Sequence, residues 1–177
     1  MDALAKLEKS MEARSLDALV AASQDDAFLV MDCSGSMAGR PLAQLKKVVD
    51  DIRTQAEPQM VAFAGNFWDG GNCFMVADVP AEAGGSTPLA DAINFSKANS
   101  ATRLVVISDG EPDDKDAAMN AAMLFLGRID VVFVGRPGCG GSAFLDRLAR
   151  ATGGQRFNGD LDDVKALSAK VAGLLSA

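Results

Sequence analysis

The chain has 177 residues, of which 49% are hydrophobic and 23% charged, a composition typical of a globular domain that buries a substantial core. Its formal charge of −7 argues against a nucleic-acid partner, because surfaces that follow a phosphate backbone concentrate lysine and arginine. The absence of histidine excludes Ser-His-Asp triads, Cys-His dyads and His-ligated zinc sites. No stretch approaches the ~20 apolar residues of a membrane helix, and the charged N-terminus lacks a signal-peptide core, so we expect a cytoplasmic protein without a membrane partner.

The first predicted element is an N-terminal helix from residue 2 to about residue 22. Its apolar residues recur at the three- and four-residue spacing of a helix face. We expect residues 1–25 to form a helical extension and residues 26–177 to form the main domain. The apolar positions of the extension are Leu4, Leu7, Met11, Leu16, Leu19 and Val20.

The next elements predict the start of a sheet. Residues 27–31 form a short apolar run that suits a strand buried on both faces. Pro41 opens a helix, because a proline at the first helical position gives up no hydrogen bond. Residues 60–64 and 73–77 are strands joined by too few residues for a parallel crossover, so they should form an antiparallel hairpin.

The rest of the chain alternates regularly between helices and strands. This alternation predicts an α/β fold with a doubly wound, Rossmann-like, mainly parallel six-stranded sheet and helices on both faces. The predicted elements are a helix from Pro88, a strand at 103–108, a helix from Pro112 to about Leu126, a strand at 130–134, a helix at 142–151, a short strand at 155–157 and a final helix at 161–174.

Two acidic residues follow the first and fourth predicted strands. Asp32 begins the stretch DCSGSM, and Asp109 lies in SDGEP. The usual order of a doubly wound sheet places these strands side by side, with ligands beyond their carboxyl ends. Two carboxylates in a partly dry crevice repel each other, and a divalent cation between them removes that conflict.

A third loop, AGGSTPLADA, points towards the same edge of the sheet. Thr87 comes directly before Pro88, which suits a helix N-cap as well as a metal ligand. Both interpretations stay open from the residues alone.

Together these three motifs resemble the von Willebrand factor A-type (vWA) domain with a complete metal-ion-dependent adhesion site. The resemblance covers roughly residues 26–175 and implies an antiparallel edge strand at 73–77. It implies that Ser34 and Ser36 bind the metal through their hydroxyls and that Thr87 does so in one state. Asp32 and Asp109 would act mostly through bound water or would exchange with Thr87, and the ion would be Mg²⁺, or else Mn²⁺ or Ca²⁺.

The resemblance also implies a function without catalysis. A partner protein would present an Asp or Glu to the open position of the ion, in a multi-protein assembly that could include an AAA+ ATPase. The alternative is a structural subunit whose metal site only stabilises the fold. A haloacid-dehalogenase-like phosphatase is disfavoured, because Ser34 stands where that mechanism needs a second acid and Lys115 is a weak match for its lysine.

Several other features have structural interpretations. The glycine-rich residues 135–144 suit the start of a helix better than a phosphate loop. The acids of residues 111–118 suit the first turn of a helix, where they complement its dipole. Phe67 and Trp68 are either a partner contact or packing beneath the edge strand. The three cysteines, predicted to be buried or unreactive thiols, are Cys33, Cys73 and Cys139.

Overall fold

Six strands form one sheet in the computed structural model, which describes residues 26–136, 138 and 140–177. The order is β3-β2-β1-β4-β5-β6; all pairs are parallel except β2–β3, which places an antiparallel strand at one edge. The predicted doubly wound sheet and its antiparallel edge are therefore confirmed. The strands are β1 (Ala27–Asp32), β2 (Gln59–Phe63), β3 (Cys73–Val76), β4 (Arg103–Ser108), β5 (Arg128–Phe133) and β6 (Arg156–Asn158).

In the described residues, five α-helices cover the two faces of this sheet. They are α1 (Arg40–Arg53), α2 (Leu89–Ala98), α3 (Lys115–Leu124), α4 (Gly141–Ala151) and α5 (Val164–Leu175). The first and last pack on one face, and the other three pack on the opposite face. Within the residues described, no helix combines the length and the apolar character needed to cross a bilayer. The predicted helix at 2–22 and the extension at 1–25 lie outside the described residues.

The strand β1 is buried on both faces, as its uninterrupted apolar run predicts. Phe28 and Val30 face the core beneath α2, α3 and α4, while Leu29 and Met31 face the core beneath α1 and α5. All four side chains are fully buried. The strand β1 lies at the centre of the sheet, between β2 and β4. Its carboxyl end is therefore in the middle of the row of loops that follow the parallel strands.

The helix α3 is shorter than the predicted span from Pro112 to about Leu126. It begins only after Asp114, whose carboxylate caps it by accepting the amide of Ala117 at 2.9 Å. It ends before Phe125, which leaves the helical conformation and buries its ring in the core. Capping at one end and core packing at the other therefore override the sequence periodicity.

Candidate metal centre

The carboxyl ends of β1 and β4 lie side by side, as the sheet order predicts. Met31 pairs with Ile107 in the parallel register, which makes Asp32 and Ser108 neighbours. The Ser108 hydroxyl donates a hydrogen bond to Asp32 Oδ2 at 2.6 Å. Asp109 is the next residue, so strand pairing alone brings the two predicted acids to one place.

The carboxylate of Asp32 is fully buried and held from both sides. Its Oδ1 accepts the backbone amide of Ser34 at 2.9 Å, and its Oδ2 accepts the Ser108 hydroxyl. Burial raises the pKa of Asp32 from 3.8 to about 6, although hydrogen bonds from Ser108 and Ser34 lower it and the charge of Asp109 raises it further. Asp32 is thus a carboxylate whose negative charge is costly without a nearby cation.

The three remaining oxygens near Asp32 form a chain of hydrogen bonds towards solvent. The hydroxyls of Ser34 and Ser36 lie 3.2 Å apart, and the Ser36 hydroxyl donates to Asp109 Oδ1 at 2.7 Å. Ser34 is buried, Asp109 is half-buried and Ser36 is exposed. The polar cluster therefore runs from the sheet interior to the surface, where a second molecule can reach it.

The loop that carries Thr87 is hydrogen-bonded to this cluster through its backbone. The amide of Gly35 donates to Gly85 O at 3.0 Å, and the amide of Gly84 donates to Cys33 O at 3.0 Å. The approach is close, since a Cβ on Gly35 would lie 3.3 Å from Gly85 O. Asp32, Ser34, Ser36 and Asp109 are thus joined by side-chain contacts, whereas Thr87 is brought near them by its loop.

Thr87 is half-buried, and its backbone is tied to the segment before α3. Its amide donates to Asp113 Oδ1 at 2.8 Å, and its carbonyl accepts the amide of Asp113 at 3.0 Å. Pro88, not Thr87, occupies the N-cap position of α2. The Thr87 hydroxyl makes no hydrogen bond to any residue in the described part of the chain, so it is available as a ligand.

The spacing of these oxygens fits a small divalent cation. Mg²⁺ binds six oxygens at about 2.0–2.1 Å in an octahedron, which places adjacent ligands about 3 Å apart. The 3.2 Å between the Ser34 and Ser36 hydroxyl oxygens is compatible with two adjacent ligand positions. Across the described residues, no three Asp, Glu or Cys side chains gather as a metal site. A cation here would therefore depend on hydroxyl ligands supported by two carboxylates.

Two residues of the site are absent from the sequence-based prediction. Ser108 is an ordinary strand residue until the register places it opposite Asp32. The sequence predicts that the acidic run containing Asp113 complements a helix dipole, an interpretation that fits the cap at Asp114, yet the Asp113 carboxylate holds the Thr87 loop. The only sequence signal for Ser108 is its position directly before Asp109 at a strand end.

The other candidate features have structural roles. Burial raises the pKa values of Cys33 and Cys73 to about 12, with smaller contributions from the charges of Asp32 and Asp91, which agrees with unreactive thiols. Cys139 lies outside the described residues. Lys115, the weak match for the phosphatase lysine, forms an ion pair in which its Nζ lies 2.9 Å from Glu111 Oε2.

The aromatic residues of the β2–β3 hairpin pack inwards. Phe67 and Trp68 are half-buried against the core beneath α1, with ring centroids 5.7 Å apart. Trp68 also lies 5.7 Å from the ring of Phe74 on the edge strand. These contacts support packing beneath the edge strand, the second of the two interpretations of this pair.

Comparison with known proteins supports the fold. No protein-family model matches the sequence, and no curated protein matches it. A solved structure of a von Willebrand factor type A protein from Catenulispora acidiphila is similar, with a TM-score of 0.63 and 17% identity over 84% of this chain and 42% of that chain. The crystal structure of an N-carbamoylsarcosine amidase from Thermoplasma acidophilum has a TM-score of 0.39 and 15% identity over 78% of this chain and 98% of that chain, too distant to carry an argument. The chain thus has the fold of a von Willebrand factor A-type domain and spans less than half the length of that solved relative.

Proposed function

We propose that the chain is a metal-dependent protein-interaction module with no catalytic activity. Asp32, Ser34, Ser36, Thr87 and Asp109 would hold one Mg²⁺, with Mn²⁺ or Ca²⁺ as alternatives, and a partner protein would complete its coordination with an Asp or Glu. The observation that carries this proposal is the chain of contacts from Asp32 through Ser34 and Ser36 to Asp109. By the vWA resemblance, the partner would belong to a multi-protein assembly such as one containing an AAA+ ATPase.

The donor set explains why a partner carboxylate would bind. The hydroxyls of Ser34, Ser36 and Thr87 carry no charge, so they leave a cation only partly neutralised. Asp32 already accepts hydrogen bonds at both carboxylate oxygens, which keeps it one step back from the surface. An anionic oxygen from outside therefore gains a strong electrostatic contact wherever water is displaced.

The second candidate is the structural alternative, in which the metal only stabilises the fold. The bonds of Asp32 to Ser34 and Ser108 close the loop without an ion. A cation bound there would add to stability by mass action and would require no partner. The two candidates differ in whether binding of another molecule depends on the metal.

The first stage of the test uses metal alone. We expect Mg²⁺ to raise the melting temperature and EDTA to reverse this, since a ligand at 100 times its Kd stabilises the native state by about 2.7 kcal/mol. Thr87→Val removes the hydroxyl at nearly constant shape, whereas Thr87→Ser keeps it. The valine variant should lose most of the shift and the serine variant should retain it. If Mg²⁺ does not raise the melting temperature of the wild type, or raises it equally in the valine and serine variants, the assignment of Thr87 is contradicted.

The second stage separates recognition from stabilisation. A displayed library of random peptides is selected on the full chain in Mg²⁺, and each binder is then retested in EDTA. We expect metal-dependent binders to share an Asp or Glu whose change to Asn or Gln abolishes binding. Binding that survives EDTA would place recognition elsewhere on the molecule, and a thermal shift without any metal-dependent binder would favour the structural role.

A further inference from the structure

A group of exposed apolar side chains lies at the end of α3. Four large hydrophobic residues are exposed in the described part of the chain, and three of them fall within four positions: Met123 at 67%, Leu124 at 63% and Leu126 at 98%. We refer to these three as the 123–126 patch. Phe125 between them is only 4% exposed, so the chain turns one side chain into the core and leaves its neighbours outside. Contiguous exposed apolar side chains are a mark of interaction sites.

Two backbone groups at the patch are hydrogen-bonded within the domain. The ammonium of Lys97 donates to the Leu124 carbonyl at 2.8 Å, and the Phe125 amide donates to the Ala121 carbonyl at 3.0 Å. What the 123–126 patch offers to another segment is therefore apolar surface. An amphipathic helix turn, which brings side chains and no unpaired backbone groups, suits such a surface.

The patch lies close to the point where the described chain begins. A Cβ on Gly127, the residue after the patch, would lie 1.8 Å from the carbonyl oxygen of Thr102, so these backbones are in contact. The amide of Thr102 in turn donates to the Asp26 carbonyl at 3.1 Å. These residues precede three adjacent strands, which places Asp26 about 10 Å from Gly127.

The sequence before Asp26 contains an apolar group that can reach this patch. Leu16, Leu19 and Val20 have the spacing i, i+3, i+4, which puts their side chains on one face of a helix. Six residues lead from Val20 to Asp26, and an extended linker of that length spans about 20 Å, more than the distance required. We propose that residues 16–20, which the sequence predicts to be helical, pack on the 123–126 patch of the same chain.

Attachment favours this occupant over a separate molecule. A short linker gives the tethered segment an effective concentration in the millimolar range, so even a modest apolar contact is occupied most of the time. Burying the three exposed side chains removes an apolar surface from water without requiring a second copy. The proposal is independent of the metal site. That site lies at the carboxyl ends of the strands, whereas the 123–126 patch lies near their amino ends.

Amide hydrogen exchange of the full chain tests the proposal. We expect the amides of residues 16–20 to exchange roughly tenfold more slowly in the wild type than in the double variant Leu124→Ser, Leu126→Ser. Met75→Ser is the matched control, because Met75 is also exposed, at 42%, but lies on the edge strand. Equal exchange in all three proteins would overturn the proposal. Leu19→Ser, made on the other side of the contact, should reproduce the loss of protection.

A photo-crosslinking amino acid at position 126 identifies what covers the patch. Illumination of the dilute full chain should produce an intramolecular crosslink to residues 16–20, found by mass spectrometry. The yield should not depend on protein concentration, since both partners belong to one chain. Crosslinked dimers whose yield rises with concentration would show that a second copy covers the patch, and crosslinks to neither would show that it is uncovered; either result overturns the proposal.

Discussion

At the scale of single residues, Asp32 has the most demanding environment of the candidate site. Its carboxylate is fully buried, and hydrogen bonds from Ser108 and Ser34 only partly offset the loss of water. The nearby carboxylate of Asp109 adds repulsion. A bound cation would reverse this balance, because an opposite charge at close range favours the ionised carboxylate.

The raised pKa of Asp32 predicts how the metal-free protein responds to acid. Above pH 6 the side chain is ionised in the folded and unfolded states, so the folded state bears the full desolvation cost. As the pH falls from about 6 towards 3.8, the folded protein binds a proton that the unfolded chain does not, and stability rises. The Asp32→Asn variant has a side chain of nearly the same shape that cannot bind a proton in this pH range. Between pH 7.5 and pH 4.5, the unfolding free energy of the wild type should gain about 2 kcal/mol relative to this variant.

Urea unfolding at several pH values, followed by the fluorescence of the single tryptophan, measures this difference. Acidic residues that do not interact with Asp32 titrate alike in both proteins and cancel from the comparison. A difference that stays constant with pH would mean that the carboxyl of Asp32 is well solvated in the metal-free protein.

At the scale of elements, the site depends on how loops are tied to their neighbours. The Thr87 loop has three attachments: backbone hydrogen bonds to the Ser34 loop, a reciprocal backbone pair between Ser86 and Gly65, and a reciprocal pair between Thr87 and Asp113. Asp113 immediately precedes the N-cap of α3, so the position of that helix influences where Thr87 lies. The adjacent residues Asp113 and Asp114 thus have different roles: Asp113 holds the Thr87 loop, and Asp114 caps α3.

These different roles predict different consequences for two neighbouring variants. Asp113→Ala frees the Thr87 amide, so we expect Mg²⁺ affinity to fall several-fold with little change in stability. Asp113→Asn keeps an acceptor oxygen and should restore most of the affinity, which separates the hydrogen bond from the charge. Asp114→Ala removes the helix cap and should cost about 1 kcal/mol of unfolding free energy without weakening metal binding. Calorimetric Mg²⁺ titration and urea unfolding measure the two quantities; equal metal affinity in all variants would contradict the role of Asp113.

At the scale of the whole molecule, the architecture was largely predictable and the detail of the site was not. Hydrophobic periodicity and the short β2–β3 connection restrict the topology, and the topology alone brings Asp32 and Asp109 to one edge. The contribution of Ser108 depends on strand register, which single-sequence patterns do not fix. The limits of α3 depend on whether Phe125 continues the helix or enters the core, a choice made by tertiary packing.

The charge of the whole molecule predicts how a partner approaches. The chain carries a formal charge of −7, so an acidic peptide is repelled at long range even if its carboxylate binds strongly at the metal. Salt screens this repulsion, since the Debye length falls from about 30 Å at 0.01 M to about 8 Å at 0.15 M. We therefore expect the association rate of a selected acidic peptide to rise over that range at constant Mg²⁺. The dissociation rate should change less, because it reflects short-range contacts that salt screens weakly.

Stopped-flow measurements with a labelled peptide give both rates. The control peptide keeps the metal-binding Asp or Glu and carries enough flanking lysines to have no net charge, so its association rate should vary little with salt. An association rate that falls with salt for the acidic peptide would mean that the surface around the site attracts anions despite the net charge. In that case the bound cation, rather than the charge of the whole molecule, would control the encounter.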